Sequence, residues 1–338
     1  MFKNRKLLIL AILLLIAAAI GLTLYYRTAQ LPEAAALLPE GDLLVYANLK
    51  PIHLFDVGSV KPQGDYQDFI QQTGIQLERD LDEVAMSRRD TLDGRDVESS
   101  EILIGRYDQD RFKNYLQKLS SGTEQYRNFT IYSIEHEGHL VRVVLLSANK
   151  VAVTNMPSPE IMHGIIDRSF KSATGSSLLK EHYHDVPLGT VAWLIDRIPN
   201  KQDNIELPGG FALTIPGDSV AVGSLRYTGS LLLRADVFAQ SESQAKQIVD
   251  SANAHLTLVR SIGQIVGTRG TDKDIKAAFD SIEATQKENV ATFTATVPQT
   301  ILKKIWSEAQ QETATPAPSS TPTPVPAPEA THKHRHRH

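Results

Sequence analysis

An apolar segment near the N-terminus limits what kind of protein this chain can be. Residues 7–26 carry no charge, and Gly21 and Thr23 are their main interruptions. About twenty such residues form a helix that can cross the roughly 30 Å hydrocarbon core of a bilayer. Three basic residues precede the segment and Arg27 alone follows it closely, so the positive-inside bias keeps residues 1–6 in the cytoplasm. We therefore predict a single-pass membrane protein with an extracytoplasmic body.

A cleaved signal peptide is the alternative for this segment. Ala17-Ala18-Ala19 matches the small-residue pattern of a cleavage site, with residues 7–16 as its apolar region. The apolar run continues through residues 20–26, however, so cleavage there would fall inside the hydrocarbon. We favour a retained signal anchor. This makes the lipid bilayer a partner of the chain and the cell membrane its location.

The composition indicates a folded protein without cysteine chemistry. Of 338 residues, 41% are hydrophobic and 22% are charged, and the formal net charge is −4. The absence of cysteine excludes disulfides, thiolate catalysis and Cys-ligated zinc or iron–sulfur sites. The near-neutral charge gives no basis for nucleic-acid binding. Residues 28–310 are acidic, with 37 Asp plus Glu against 28 Lys plus Arg.

The rest of the chain divides into a linker, a folded body and a tail. Residues 27–40 are expected to form the linker, and residues 41–195 and 196–310 two lobes. Hairpins mixed with packed helices indicate an α+β fold with mainly antiparallel sheets. The repeated strand-helix-strand order is compatible with two related halves. Residues 311–338 are rich in proline, alanine, threonine and serine, which predicts a disordered tail.

Hydrophobic periodicity places the elements of the body. The predicted strands are 43–49, 83–88, 102–106, 129–134, 140–146, 151–155, 190–195, 219–226, 231–238 and 290–297. The predicted helices are 66–73, 110–119, 159–170 and 177–184, a long one opened by a capping box of Ser241 and Gln244, and one capped by Thr271 and Asp274. A last helix is predicted from Pro298 through Trp306, because proline suits a first helical turn.

Four short phrases of the first lobe occur together in one known group of proteins. They are Thr73-Gly74-Ile75, Asp80-Leu81-Asp82-Glu83-Val84, Ile104-Gly105-Arg106-Tyr107-Asp108 and Ile131-Tyr132. In this order they resemble uncharacterised, single-span bacterial envelope proteins that carry a domain of unknown function. The resemblance covers residues 41–195. It implies the membrane-anchored topology and a bacterial envelope, and it implies no active-site residue.

Three motifs come close to known chemistry without matching it. His136-Glu137-Gly138-His139 has its histidines three apart around a glycine, whereas a zinc protease motif needs them four apart on a helix, so we interpret it as a hairpin tip. Ser177 and Lys180 form an S-x-x-K motif without its companion motifs, which favours a serine-capped helix start. His182, His184 and Asp185 are interpreted as a polar helix end. We therefore assign no catalytic residue, cofactor or metal ligand.

The C-terminal end is locally unusual because histidine alternates with basic residues. Its positive charge rises as the pH falls through about 6.5, which suits contact with an anionic polymer of the envelope. Weak capture of a divalent metal ion and an unselected soluble tail are the alternatives. The candidate contact residues are His332, Lys333, His334, Arg335, His336, Arg337 and His338.

Two functions are compatible with this organisation. The first is a non-catalytic interaction or structural module of the cell envelope, which binds an envelope protein or an anionic polymer. The second is an envelope hydrolase whose active site is assembled by the fold alone. A pocket that gathers histidine and carboxylate side chains would favour the hydrolase.

Overall fold

The computed structural model describes residues 30–51, 53, 64–90, 97–171, 175–199, 203–207, 211–265 and 273–301. Within these ranges the chain forms a twelve-stranded sheet, a two-stranded sheet and eight α-helices. All strand pairs in both sheets are antiparallel. The predicted α+β class with mainly antiparallel sheet is therefore confirmed.

The strands are numbered in chain order. They are β1 (Leu43–Asn48), β2 (Leu81–Asp90), β3 (Val97–Gly105), β4 (Gly122–Tyr126), β5 (Phe129–His136), β6 (His139–Ser147), β7 (Lys150–Thr154), β8 (Thr190–Arg197), β9 (Asp203–Leu207), β10 (Phe211–Ile215), β11 (Val220–Tyr227), β12 (Leu231–Phe238), β13 (Glu283–Lys287) and β14 (Val290–Val297). The large sheet has the order β13-β14-β12-β11-β8-β1-β2-β3-β7-β6-β5-β4, and β9 pairs with β10 separately.

The helices are also numbered in chain order. They are α1 (Glu33–Ala36), α2 (Asp65–Thr73), α3 (Leu77–Asp80), α4 (Gln109–Leu119), α5 (Pro159–Ser169), α6 (Ser177–His182), α7 (Glu242–Ile265) and α8 (Lys273–Asp280). Local sequence sets several of their ends. The Asp108 side chain accepts a hydrogen bond from the Arg111 amide at the start of α4. Gly74 ends α2 in the left-handed conformation, which glycine adopts without steric cost.

The chain follows a similar order of elements on the two sides of the central β1–β8 pair. Strands β1, β2 and β3 form a meander, α4 follows, and the returning strands add to β3 through β7. Strands β8, β11 and β12 form a second meander, α7 and α8 follow, and β14 adds to β12. The two predicted lobes thus share one sheet, and their expected boundary between residues 195 and 196 falls inside β8.

Three helices cover the middle of one face of the sheet. We call the face that carries Leu44 and Tyr46 the front face, and the face that carries Val45 and Ala47 the back face, since alternate strand residues point to opposite sides. Helices α1, α5 and α6 pack on the front face in a single apolar core. Its fully buried members include Ala35, Leu38, Leu44, Met162, Ile165, Leu178, Leu179 and Ile195.

The back face is covered at its two ends. Toward β5, α2 and α4 contribute to a cluster in which Phe112 and Leu116 pack with Val143 and Val151. Toward β13, α7 lies on the sheet, and its buried side chains include Ala245, Ile248, Val249 and Ala252. The middle strands of the back face lie between these two helical layers.

The structure corrects several sequence-based expectations. The expected linker, residues 27–40, contains α1. Ala34, Ala35 and Leu38 are buried in the front core because their apolar side chains pack on the sheet. Strands β4 and β13 were not predicted, since both are polar edge strands without apolar alternation. Strands β9 and β10, which pair with each other in the small sheet, were not predicted either.

No helix in the described ranges combines the length and apolar character needed to cross a bilayer. The predicted span, residues 7–26, and the predicted tail, residues 311–338, lie outside those ranges. Residues 299–301 are helical, which agrees with the predicted start of a last helix after Pro298.

Candidate functional site

An open apolar groove crosses the middle of the back face. Its volume of about 460 Å³ lies within the 300–1,000 Å³ typical of ligand pockets. Strands β1, β8, β11, β12 and β14 line it, together with Ile282 just before β13. The groove therefore lies between the two helical layers of the back face.

The strand register arranges the lining in two rows across the five strands. The first row is Val45, Leu194, Gly223, Ala235 and Phe293. The second row is Ala47, Ala192, Leu225, Leu233 and Ala295. Gly223 and the alanines keep parts of the floor low, while the larger side chains rise beside them. The result is a corrugated surface built from apolar side chains.

Two leucines of the groove are much more exposed than the leucines of the front core. Leu194 is 40% exposed and Leu233 is 41% exposed, and they come from different strands of the same face. A Cβ atom placed on Gly223 would lie 3.0 Å from Leu194 Cγ, so the glycine leaves room for this leucine. Contiguous exposed apolar surface of this kind is typical of an interaction site.

The charged side chain among the lining residues, that of Arg234, points away from the groove to the front face. Arg234 Nε and Nη2 donate to Asp236 at 2.7 and 3.0 Å, and Thr292 Oγ1 donates to the same carboxylate at 2.6 Å. The hydrogen bonds to Asp236 raise the pKa of Arg234, and Asp236 is buried. The lining contains no other charged residue type. The network therefore joins β12 to β14 behind the groove and leaves its surface apolar.

Aromatic packing stabilises the sheet behind the central strands. Tyr46 and Trp193 alternate with groove residues in β1 and β8, and their rings stack at 5.6 Å on the front face. Tyr183 contacts Trp193 edge-on at 5.8 Å. The floor of the groove is thus supported by a packed layer, and a ligand there meets a pre-formed surface.

The lining determines what the groove can do chemically. Aliphatic and aromatic side chains supply apolar contact, and the strands supply backbone that is already paired within the sheet. No carboxylate, imidazole or amine side chain of the lining faces the groove, because Arg234 is engaged on the front face. The groove is therefore suited to binding an apolar surface and offers no proton-transfer group of its own.

The histidine-containing hairpin is confirmed as a structural turn. His136 pairs with His139 at the end of β5 and β6, and both residues are exposed. Glu137 and Gly138 form the turn with positive φ angles of 50° and 82°. The two imidazoles therefore stand on an exposed tip far from the helical geometry of a zinc protease.

The S-x-x-K segment is confirmed as a capped helix start, with a different serine as the cap. Ser176 Oγ accepts from the Leu179 amide at 3.3 Å, and Ser177 is the first residue of α6. Ser177 Oγ donates to Glu40 Oε2 at 2.8 Å. Lys180 is exposed. The serine hydroxyl is thus used in fixing α6 to the segment before β1.

The His182-Tyr183-His184-Asp185 segment forms the polar end of α6. His182 Nδ1 lies 3.1 Å from Asp185 Oδ2, and His184 Nε2 lies 3.3 Å from Asp185 Oδ1. One carboxylate therefore contacts both imidazoles. Within the described ranges no group of three or more histidine, aspartate or glutamate side chains is arranged to hold a metal ion. The candidate contact residues of the tail, His332 to His338, lie outside those ranges.

Two of the phrases that carry the resemblance, the one with Asp80 and the one with Gly105 and Arg106, meet at one corner of the fold. The Asp80 carbonyl accepts a hydrogen bond from the Arg106 amide at 2.8 Å. A Cβ atom added to Gly105 would clash with the same carbonyl oxygen, so the backbone can approach this closely only at a glycine. Burial opposes ionisation of Asp80, but hydrogen bonds from Arg79 and the Gln76 amide outweigh it and lower the pKa of the carboxyl group. Asp80 itself is buried.

Sequence patterns contained part of the signal for the groove. Two of the strands that line it, Leu43–Asn48 and Thr190–Arg197, are largely apolar on both faces, a pattern that is equally typical of strands buried on both sides. The sequence does not show that helices cover one face alone. The groove was therefore missed, because it depends on how strands that are distant in sequence pair and on where the helices pack.

Comparison with known proteins gives no functional assignment. No family model matches the chain. No curated protein matches it. Crystal forms IV, III and I of TP0453 are similar solved structures, each with a TM-score of 0.44 and with 11%, 10% and 11% sequence identity. They cover 81%, 84% and 83% of this chain and 96%, 99% and 99% of the TP0453 chain. At these values the similarity establishes neither a shared fold nor a shared function.

Proposed function

We propose that this protein is a membrane-anchored, extracytoplasmic interaction module without a catalytic role, and that its groove binds an amphipathic helix of a partner protein. The observation that carries the proposal is the apolar groove across five strands of the back face. Leu194 and Leu233 are the exposed anchors at its centre. An amphipathic helix laid in an apolar groove is a recurrent mode of protein recognition.

The dimensions of the groove favour a helix as the bound element. Neighbouring strands lie about 4.8 Å apart, so the five lining strands span about 19 Å between the first and last axes. A helix is about 10–12 Å wide and rises 1.5 Å per residue, so about three to four turns cross the five strands. The lining offers no charged partner, which favours a helix whose contacting stripe is entirely apolar.

The two ends of the chain have separate roles in this proposal. Residues 7–26 act as the membrane anchor, with residues 1–6 in the cytoplasm and the acidic body on the other side. The proline-rich tail acts as an extended arm that carries the basic end to an anionic polymer of the envelope. The groove and the tail then contact different partners.

A defined peptide tests the binding role of the groove. The probe is a synthetic amphipathic helix of leucine and lysine, and its control is a scrambled peptide of the same composition. We expect saturable binding of the amphipathic peptide alone, reduced at least tenfold by Leu233→Glu and unchanged by Leu258→Glu. Leu258 is the matched control because it is 46% exposed on α7 and does not line the groove.

Two results would overturn the assignment. Equal binding of both peptides, or equal effects of the two leucine substitutions, would show that the groove is not the site. Saturable binding of a fluorescent fatty acid that Leu233→Glu abolishes, without binding of the helix, would assign the groove to a lipid instead. Extraction with alkaline carbonate tests the anchor: the full-length chain should stay in the membrane pellet, and release of a shortened chain would refute it.

A further inference from the structure

The chain beyond β14 turns toward the groove. Gln299 Nε2 donates to Tyr227 Oη at 3.1 Å. Tyr227, Leu231 and Val297 form one row across β11, β12 and β14, and Tyr227 points to the back face because it follows the groove residue Leu225 by two positions. Gln299 therefore reaches across β12 to β11 on the face that carries the groove. The next residues along the chain continue from this point.

The sequence that follows has the pattern of an amphipathic helix. At 100° per residue, Ile301, Leu302, Ile305, Trp306 and Ala309 fall within an arc of about 140°. Apart from Pro298, the remaining positions of the segment carry polar or charged side chains, among them Lys303 and Lys304. Such a stripe requires an apolar surface to cover it.

The segment and the groove match in size. A helix over residues 298–310 is about 20 Å long, close to the about 19 Å that the five lining strands span. The described residues 298–301 lie beside the groove, and the Ile301 amide donates to the Pro298 carbonyl at 3.1 Å. A helix laid across the groove would turn this apolar stripe toward Leu194, Leu225 and Leu233 and leave the lysines in water.

We propose that residues 298–310 are the intramolecular occupant of the groove, and that a partner helix binds by displacing them. This inference rests on the proposed function, since it describes how the same groove is regulated. A protein whose binding-competent state is partly populated has a correspondingly weaker apparent affinity. Displacement would also free the proline-rich tail, because that tail continues directly from residue 310.

Cysteine accessibility tests the occupancy in the full-length chain, which contains no natural cysteine. Ile305→Cys places a thiol on the apolar stripe, and Lys304→Cys places one on the opposite side of the same helix. We expect a bulky thiol reagent to label the first variant at least tenfold more slowly than the second. Adding Leu233→Glu should remove this difference, whereas adding Leu258→Glu should leave it.

Other outcomes would overturn the inference. Equal labelling of the two cysteines would show that residues 298–310 are not docked. Protection that disappears on dilution would assign the groove to the same segment of a second copy. The same experiments separate failure of this inference from failure of the proposed function. Slow labelling of Ile305→Cys without binding of the leucine–lysine peptide would support occupancy by residues 298–310 and refute partner binding.

Discussion

Gly223 and Leu194 are paired across β11 and β8, and the absence of a side chain on Gly223 leaves space beside the leucine. A Cβ there would lie 3.0 Å from Leu194 Cγ and 3.4 Å from both of its methyl carbons. Leu194 is 40% exposed, so its side chain has room to move toward the groove. The depth of the groove therefore depends on a glycine at position 223.

Substitution of this glycine should fill the groove with little loss of stability. In Gly223→Val we expect the free energy of unfolding to fall by less than about 2 kcal/mol, because a branched side chain suits a strand while the contact with Leu194 is crowded. Binding of the leucine–lysine peptide should fall at least tenfold. Denaturant unfolding and peptide titration measure the two effects. Unchanged peptide binding would show that this part of the lining is not used.

Gly105 should be essential for the corner that it forms with Asp80. In Gly105→Ala the new methyl group would press against backbone, which cannot yield as a flexible side chain can, and we expect a loss of about 1–3 kcal/mol. Gly122→Ala is the matched control, because nothing lies within 4 Å of its added Cβ. That control should change stability by less than about 0.5 kcal/mol. Equal unfolding midpoints for the two variants would contradict this interpretation of the corner.

Glu101 should make stability depend on pH. Burial raises the pKa of this carboxyl group, which lies between Met86 and Val153 in the sheet. A raised pKa in the folded state means that ionisation destabilises the fold at neutral pH, and that the penalty disappears as the pH falls through the raised pKa. Glu101→Gln should therefore stabilise the protein at pH 7.

The gain from Glu101→Gln should vanish below about pH 4, where the glutamate is neutral in both states. Thermal unfolding across this pH range measures it. Glu135→Gln, at an exposed position of β5, is the control and should show no such gain. A stabilisation by Glu101→Gln that is constant between pH 7 and pH 3 would contradict the electrostatic explanation.

The basic tail should govern contact with anionic polymers. Truncation after Gln310 removes the candidate contact residues His332 to His338 and keeps the segment proposed to fill the groove. We expect this variant to lose salt-sensitive retention on isolated envelope material, since charge contacts are screened by salt. Peptide binding to the groove should be unchanged. Equal retention of the truncated and full-length chains would exclude the tail as the contact.

The sequence predicted the local elements better than it predicted the surface they create. Strands Leu231–Phe238 and Val290–Val297 were predicted with the bounds observed, because each combines apolar patterning with clear turn signals. Strands β4 and β13 were missed because an edge strand needs no apolar face. The groove joins Val45 to Leu194 and Phe293 through strand pairing. Local periodicity contains no information about that pairing.

The most direct test of the account is competition for the groove within one sample. The labelling rate of Ile305→Cys is measured in the full-length chain while the leucine–lysine peptide is added. If the partner helix and residues 298–310 exclude each other, the rate should rise with peptide concentration to the rate of Lys304→Cys, and the scrambled peptide should have no effect. A labelling rate that stays constant while the peptide saturates its site would contradict the account.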